Sequence, residues 1–315
     1  MKKYLTPVLI SCVCLLAFGP LLPIFFGPDW RAKWTIALAA NEYLDGHPDK
    51  AEESLKQAAL LSHQIATEPE YWNLKFDLVF NKEKPSDETI AALFEDSVAL
   101  ISRTPAIQQR ILAHRVGEHF HLKRENEYAV KMMEKFFPAI SKRIANENNF
   151  LAYARALSKK ELETALTEID AALVADGTTR TEFLDTKAWV LHGLGRDKDA
   201  LAFIEESIKK LHLELKQIKG IPTQDRSKFE GLFVTEVAEA NETDSLPPRP
   251  LGRLDELKKE FSYLRPIELE LEAKRIAVVR FHRACILDEL GQTEKSELDY
   301  RWLDQFGFTE PEKLN

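Results

Sequence analysis

The clearest pattern of apolar and polar positions lies in residues 184–211, LDTKAWVLHGLGRDKDALAFIEESIKKL. Leu184, Leu191, Ala200 and Ile204 recur at helical spacing on the facing sides of two segments. Gly195 stands between the segments and supplies a residue that takes the left-handed conformation ending a helix. Arg196, Asp197, Lys198 and Asp199 make a polar turn, with Asp197 placed to cap the second helix. Ala188 and Ala200 are small where two antiparallel helices must come close. The stretch therefore predicts a helical hairpin. One hairpin cannot bury its own apolar face, so its neighbours should repeat it.

They do. The residue matching Ala200 recurs upstream at Ala165, Ala129, Ala92 and Ala51, in steps of 35, 36, 37 and 41 residues. Leu38, Ala39, Gly46, Ala51, Leu55 and Ala58 carry the first unit. Trp72, Ala92 and Ala99 carry the second, which has a Pro85 turn and no glycine. VGEHF (Val116, Gly117, Phe120) precedes Ala129, and NNFLAYARAL followed by ELETALTEIDAAL surrounds Ala165. Downstream, RFHRACILDELGQTEKSELDYRWL repeats the theme with Ala284, Leu287, Gly291, Ser296, Tyr300 and Leu303. These motifs, over most of residues 34–306, resemble the tetratricopeptide repeat (TPR) family, whose period is about 34 residues. The resemblance implies an all-α, right-handed solenoid of antiparallel helix pairs. Composition agrees with the class: glycine is low at 12 residues, charged residues make up 30%, and strand-like alternation is nearly absent.

The amino terminus reads differently. Residues 4–28 carry no charge, and Lys2 and Lys3 precede them. Residues 5–26 are 22 in number, which as a helix is roughly 33 Å, enough for a ~30 Å hydrocarbon core. Three readings compete. A cleaved signal peptide has Ala17-Phe18-Gly19 as its small-residue site, with Pro20 directly after it. A lipoprotein leader has Leu9-Ile10-Ser11-Cys12, followed by a long further apolar run. A retained single-span anchor over residues 1–28 fits the length best, although Pro7, Pro20 and Pro23 kink it. Lys2 and Lys3 against Asp29, Arg31 and Lys33 favour a cytoplasmic amino end, with the repeats on the periplasmic or extracellular side.

The expected organisation is an anchor (1–28), helical repeats (30–211), a helical insertion (212–266), a last hairpin (267–306) and a short tail (307–315). The insertion follows from spacing: Ala200 to Ser296 is 96 residues, about 60 more than one repeat needs. Phe229, Leu232, Phe233 and Val237 show helical spacing within it, and residues 253–264 resume a helix. Residues 241–252, NETDSLPPRPLG, read as a loop. Its Leu246–Pro250 run reads as an exposed connector more readily than as a polyproline II ligand. Asn241-Glu242-Thr243 fits the glycosylation pattern.

Charge narrows the partners. Without Lys2 and Lys3 the chain has 51 acids against 41 Lys plus Arg, a net −10, which argues against nucleic acid and against an anionic membrane surface as ligands. Catalytic signatures are missing: there is no phosphate-binding loop, HExxH, GxSxG or CxxC. Cys12 and Cys14 fall in the leader, and Cys285 reads as a buried thiol rather than half of a disulfide. His114, Glu118 and His121 share one helix face, and two imidazoles with a carboxylate can hold zinc. A polar surface wall is the preferred reading there, so no metal and no cofactor is expected.

In the TPR family the first helix of each repeat lines a concave groove. The resemblance carries this role to His114, Arg115, Glu118 and His121, to Asp185, Trp189 and His192, and to Phe281, His282, Cys285 and Asp288. Chaperone-binding members clamp a peptide carboxylate with basic and Asn positions that are not reproduced here; Asp185 stands where such a clamp carries Lys. A basic or aromatic protein segment is the expected ligand, with no small-molecule substrate. The expected function is a membrane-tethered interaction scaffold rather than an enzyme. The alternatives are an accessory subunit of a membrane-associated enzyme complex, or an enzyme with an unrecognised site.

Overall fold

The computed structural model describes residues 27–81, 85–177, 180–215, 221, 225, 253–262, 264–311 and 314. Among the described residues there are thirteen α-helices, two short 3-10 turns and no strand, so the all-α class holds. The expected anchor over residues 5–26 and the loop over 241–252 lie outside the described residues. No described helix is long and apolar enough to cross a membrane. The chain divides into two compact units, Met1–Phe137 and Pro138–Asn315.

The first unit contains α1 (Pro28–Leu44), α2 (Pro48–Leu61), α3 (Pro69–Phe80), α4 (Asp87–Ser102), α5 (Ala106–Leu122) and α6 (Asn126–Phe136). The second contains α7 (Ala145–Ser158), α8 (Leu162–Asp176), α9 (Thr181–Gly193), α10 (Asp197–Leu215), α11 (Arg253–Glu260), α12 (Pro266–Glu289) and α13 (Thr293–Gln305). Helix starts follow local chemistry. Pro28, Pro48, Pro69 and Pro266 open their helices, where a missing backbone N–H costs nothing.

Five pairs of successive helices pack closely: α1 with α2, α5 with α6, α7 with α8, α9 with α10, and α12 with α13. Each is joined by a three-residue turn. Each turn holds at least one residue at positive φ: Gly46, Arg124, Lys159 together with Glu161, Gly195 or Gly291. In each, the next N–H reaches back five residues, as Arg196 N–H does to the Leu191 carbonyl at 2.9 Å and Glu125 N–H to Phe120 at 2.9 Å. This closure satisfies carbonyls that a helix end otherwise leaves open.

The turn delivers a small residue to the same place every time. The fourth residue of α2, α6, α8, α10 and α13 is Ala51, Ala129, Ala165, Ala200 or Ser296, and none is more than 1% exposed. Ala39, Gly117, Ala188 and Ala284 sit twelve residues before Ala51, Ala129, Ala200 and Ser296, and all four are buried. At Gly117 the fit is tight, since an added Cβ would lie 3.2 Å from Met133 Cγ and 3.5 Å from the Ala129 carbonyl oxygen. The exception is the second unit of the repeat pattern. Ala92 and Ala99 are exposed, and α3 and α4 lack the close backbone approach of the other pairs. Instead α3 supplies Trp72, fully buried and donating from Nε1 to the Ala66 carbonyl at 2.8 Å, and Phe76, edge-on to Phe120 at 4.9 Å.

Two carboxylates are buried with arginines in the second unit. Glu168 accepts from Arg143 at 2.6 Å and from Arg155 at 3.0 Å. Asp299, fully buried on α13, accepts from Arg280 at 2.8 Å and from Arg283 at 2.6 Å, both on α12. Arg280 also lies over the Trp302 ring at 4.9 Å.

Two substitutions test this packing. Ala200→Leu should destabilise the protein by about 1–3 kcal/mol in thermal or urea unfolding, because the added side chain pushes the helices apart. No change would mean that Ala200 is not at the helix contact. Arg124→Gly should do the opposite, by about 0.5–1 kcal/mol: it removes a left-handed penalty of ~1–2 kcal/mol and adds ~0.4–1 kcal/mol of unfolded-chain entropy.

Candidate partner-binding face

In the second unit α9 packs against α7 and against α12. The chain reaches α12 only after the long insertion, yet α12 lies on α10 and α9 as the next hairpin would. That return brings distant residues together. Asp185, Trp189 and His192 fall on one face of α9 at i, i+4 and i+7. Phe281 and His282 come from α12, and Tyr153 from α7.

The centre is a buried pair. His282 Nδ1–H donates to Asp185 Oδ1 at 2.9 Å, with His282 fully buried and Asp185 6% exposed. This bond fixes the imidazole orientation. Its other nitrogen, Nε2, is buried without a hydrogen-bond partner among the described residues. The Trp189 ring lies almost flat on His282, centroids 4.1 Å apart and planes at 16°. Trp189 also meets His192 at 5.0 Å and Phe281 at 6.3 Å. Tyr153 approaches His282 edge-on at 6.1 Å, and burial together with the Asp185 charge pushes its hydroxyl pKa well up. His192 donates from Nδ1 to Asp197 at 2.6 Å, which ties the end of α9 to the start of α10. Trp189, His192 and Phe281 remain half-buried, so aromatic surface is left at the rim of a rigid support.

The other sequence-selected residues sit apart from this cluster. Asp288, exposed near the end of α12, accepts from Ser296 Oγ and, at 3.1 Å, from the Tyr300 hydroxyl. Cys285 Sγ lies 4.0 Å from the same hydroxyl, and burial pushes its thiol pKa up to about 11. His114, Arg115, Glu118 and His121 belong to the first unit. His114 lies 3.4 Å from Glu118, which it holds below the usual carboxylate range. His121 instead bonds Asn126 at 2.8 Å, and Arg115 donates to the Thr67 carbonyl at 3.0 Å. The shared helix face thus does not converge on one point. Among the described residues no group of three or more His, Cys, Asp or Glu is placed to hold a metal ion. Tyr153 was not marked by its local sequence, because its partners come from helices much further along the chain.

Two readings from the sequence change in detail. Asp185 does not project a free carboxylate toward a basic ligand; the carboxylate is used inside the protein, on His282. Trp189, expected to line the groove, has one face covered by His282 while part of it stays open. The sequence matches no family model and none of the curated proteins.

The buried pair is measurable by a double-mutant cycle over Asp185→Ala and His282→Ala. A coupling energy of about 1–3 kcal/mol in stability is expected, since either single change strands a buried polar group. Simple additivity would show that the bond is not formed in solution. The thiol gives an independent check. Alkylation of Cys285 at pH 8 should run about 10²-fold slower in the folded protein than in guanidinium, where the pKa returns to about 8.5. Equal rates would mean that Cys285 is open to solvent.

Proposed function

We propose that the protein is a membrane-tethered scaffold built of TPR-like repeats, whose second unit holds a segment of another protein on the face formed by α7, α9 and α12. The observation that carries this reading is Trp189. It is a large aromatic, stacked on a fully buried histidine that a buried carboxylate orients, and it still presents half-buried surface. Rigid aromatics of this kind supply binding energy with little ordering cost, and interface energy concentrates on such anchors. Phe281 and His192 flank it. Because Asp185 is occupied, the face suits an apolar or aromatic segment better than a basic one. The uncharged stretch over residues 5–26 supports the tether. Anchoring raises the local concentration of whatever the face binds. The small charge bias around the stretch supports repeats on the non-cytoplasmic side.

The full chain should capture its partner from a detergent extract, and the affinity of the isolated pair can then be measured. Trp189→Ala should weaken that affinity by about 2 kcal/mol or more, while Lys198→Ala, in the exposed turn, should leave it unchanged. Melting curves on the same variants separate binding from folding. If folded Trp189→Ala protein binds with wild-type affinity, the face is not the binding site. The tether is tested separately: the full chain should stay with membranes after a carbonate wash, and an intact mass lacking residues 1–19 would show a cleaved signal instead.

A further inference from the structure

Helix α1 has two apolar faces: one is buried, and the other is half-buried at Trp30 and open at Trp34 and Leu38. Ala32, Ile36 and Ala39 are buried, none above 5% exposed. On the opposite side Trp30, Trp34 and Leu38 follow at i, i+4 and i+8. Trp34 is 48% exposed and Leu38 45% exposed. Trp30 stacks on Trp34 with centroids 5.9 Å apart and planes at 10°. Ala37 adds to the same exposed side. A pair of stacked indoles beside an open leucine is costly to leave in water.

Position in the chain says what covers them. Trp30 stands four residues after Phe26, the last of the 22 residues expected to span the membrane. Even fully extended, four residues reach at most about 14 Å. Gly27 is extended, with φ −62° and ψ 172°, and Pro28 opens α1 as a new helix. The axis of α1 is therefore free to take its own direction. Tryptophan is enriched where headgroups meet acyl chains, because its ring is apolar and its N–H is polar.

We infer that α1 lies in the membrane interface, with Trp34 and Leu38 seated among the headgroups and upper acyl chains of the bilayer. This rests on the tether reading above and adds a second, peripheral contact that fixes how the first unit leaves the membrane. Charge complementarity plays little part. Lys33 is paired with Glu68 at 2.7 Å and Asp29 accepts from Ser62, while the whole chain is net negative. A zwitterionic bilayer suffices.

The test uses the full chain reconstituted into phosphatidylcholine vesicles, some carrying bromine on the upper acyl chain. Flotation reports the tether and bromine quenching of tryptophan fluorescence reports the interface. Wild-type protein should float and be quenched, and Trp30→Phe/Trp34→Phe should float and lose about half or more of that quenching, Trp72 and Trp302 being buried within the protein and Trp189 half-buried against His282 in the second unit. Leu38→Ser, with an unchanged melting curve, should reduce the quenching of Trp30 and Trp34. Protein that floats but shows equal quenching with and without Trp30 and Trp34 overturns the inference and leaves the tether standing. Shielding of both indoles from acrylamide without bromine quenching also overturns it, since a protein surface, such as a second copy, would then cover them. Protein that does not float removes the tether and this contact together.

Discussion

Five hairpins share one constraint: the fourth residue of the second helix carries no more than a methyl or hydroxymethyl group, and in four of them the residue twelve positions earlier is as small. The constraint acts through the turn. A left-handed residue and a bond reaching back five positions end the first helix at a fixed angle, so the fourth residue of the next helix always arrives at the seam. Gly46, Gly195 and Gly291 adopt that conformation without strain. Arg124 and Lys159 adopt it against their preference, which shows that packing of the pair outweighs the local penalty.

Much of this was legible along the chain, because both signals are local. A small residue five positions after a turn glycine, as at Ala51, Ala200 and Ser296, needs no knowledge of the rest of the fold. The rule fails at Ala92 for the same reason. Alanine serves equally well on an exposed helix surface, and six residues rather than three separate α3 from α4. The aromatic cluster around Phe76, Phe94 and Phe120 organises that region instead. The boundary at Phe137 and Pro138 was likewise hidden, since the repeat pattern runs through it.

The candidate face was legible in its members but not in its connections. Asp185, Trp189, His192 and His282 are all picked out by their place on first helices. What joins Asp185 to His282 is the return of the chain after a long insertion, which no spacing rule encodes. The bond decides how each acts. It withdraws Asp185 from ligand contact and turns His282 into the floor on which Trp189 rests. The reverse happens in the first unit, where His114, Glu118 and His121 share a face by sequence but Asn126 takes His121 away.

Asp299, held by Arg280 and Arg283, has a consequence for how the last hairpin is specified. Apolar contact is non-directional and by itself tolerates small shifts between helices. A buried carboxylate does not, because a shift of one turn would bury Asp299 away from both guanidiniums. Replacing the ionic group with well-packed apolar side chains would leave the overall stability much the same and let several registers of α13 on α12 compete. The charges thus act less as glue than as an index mark.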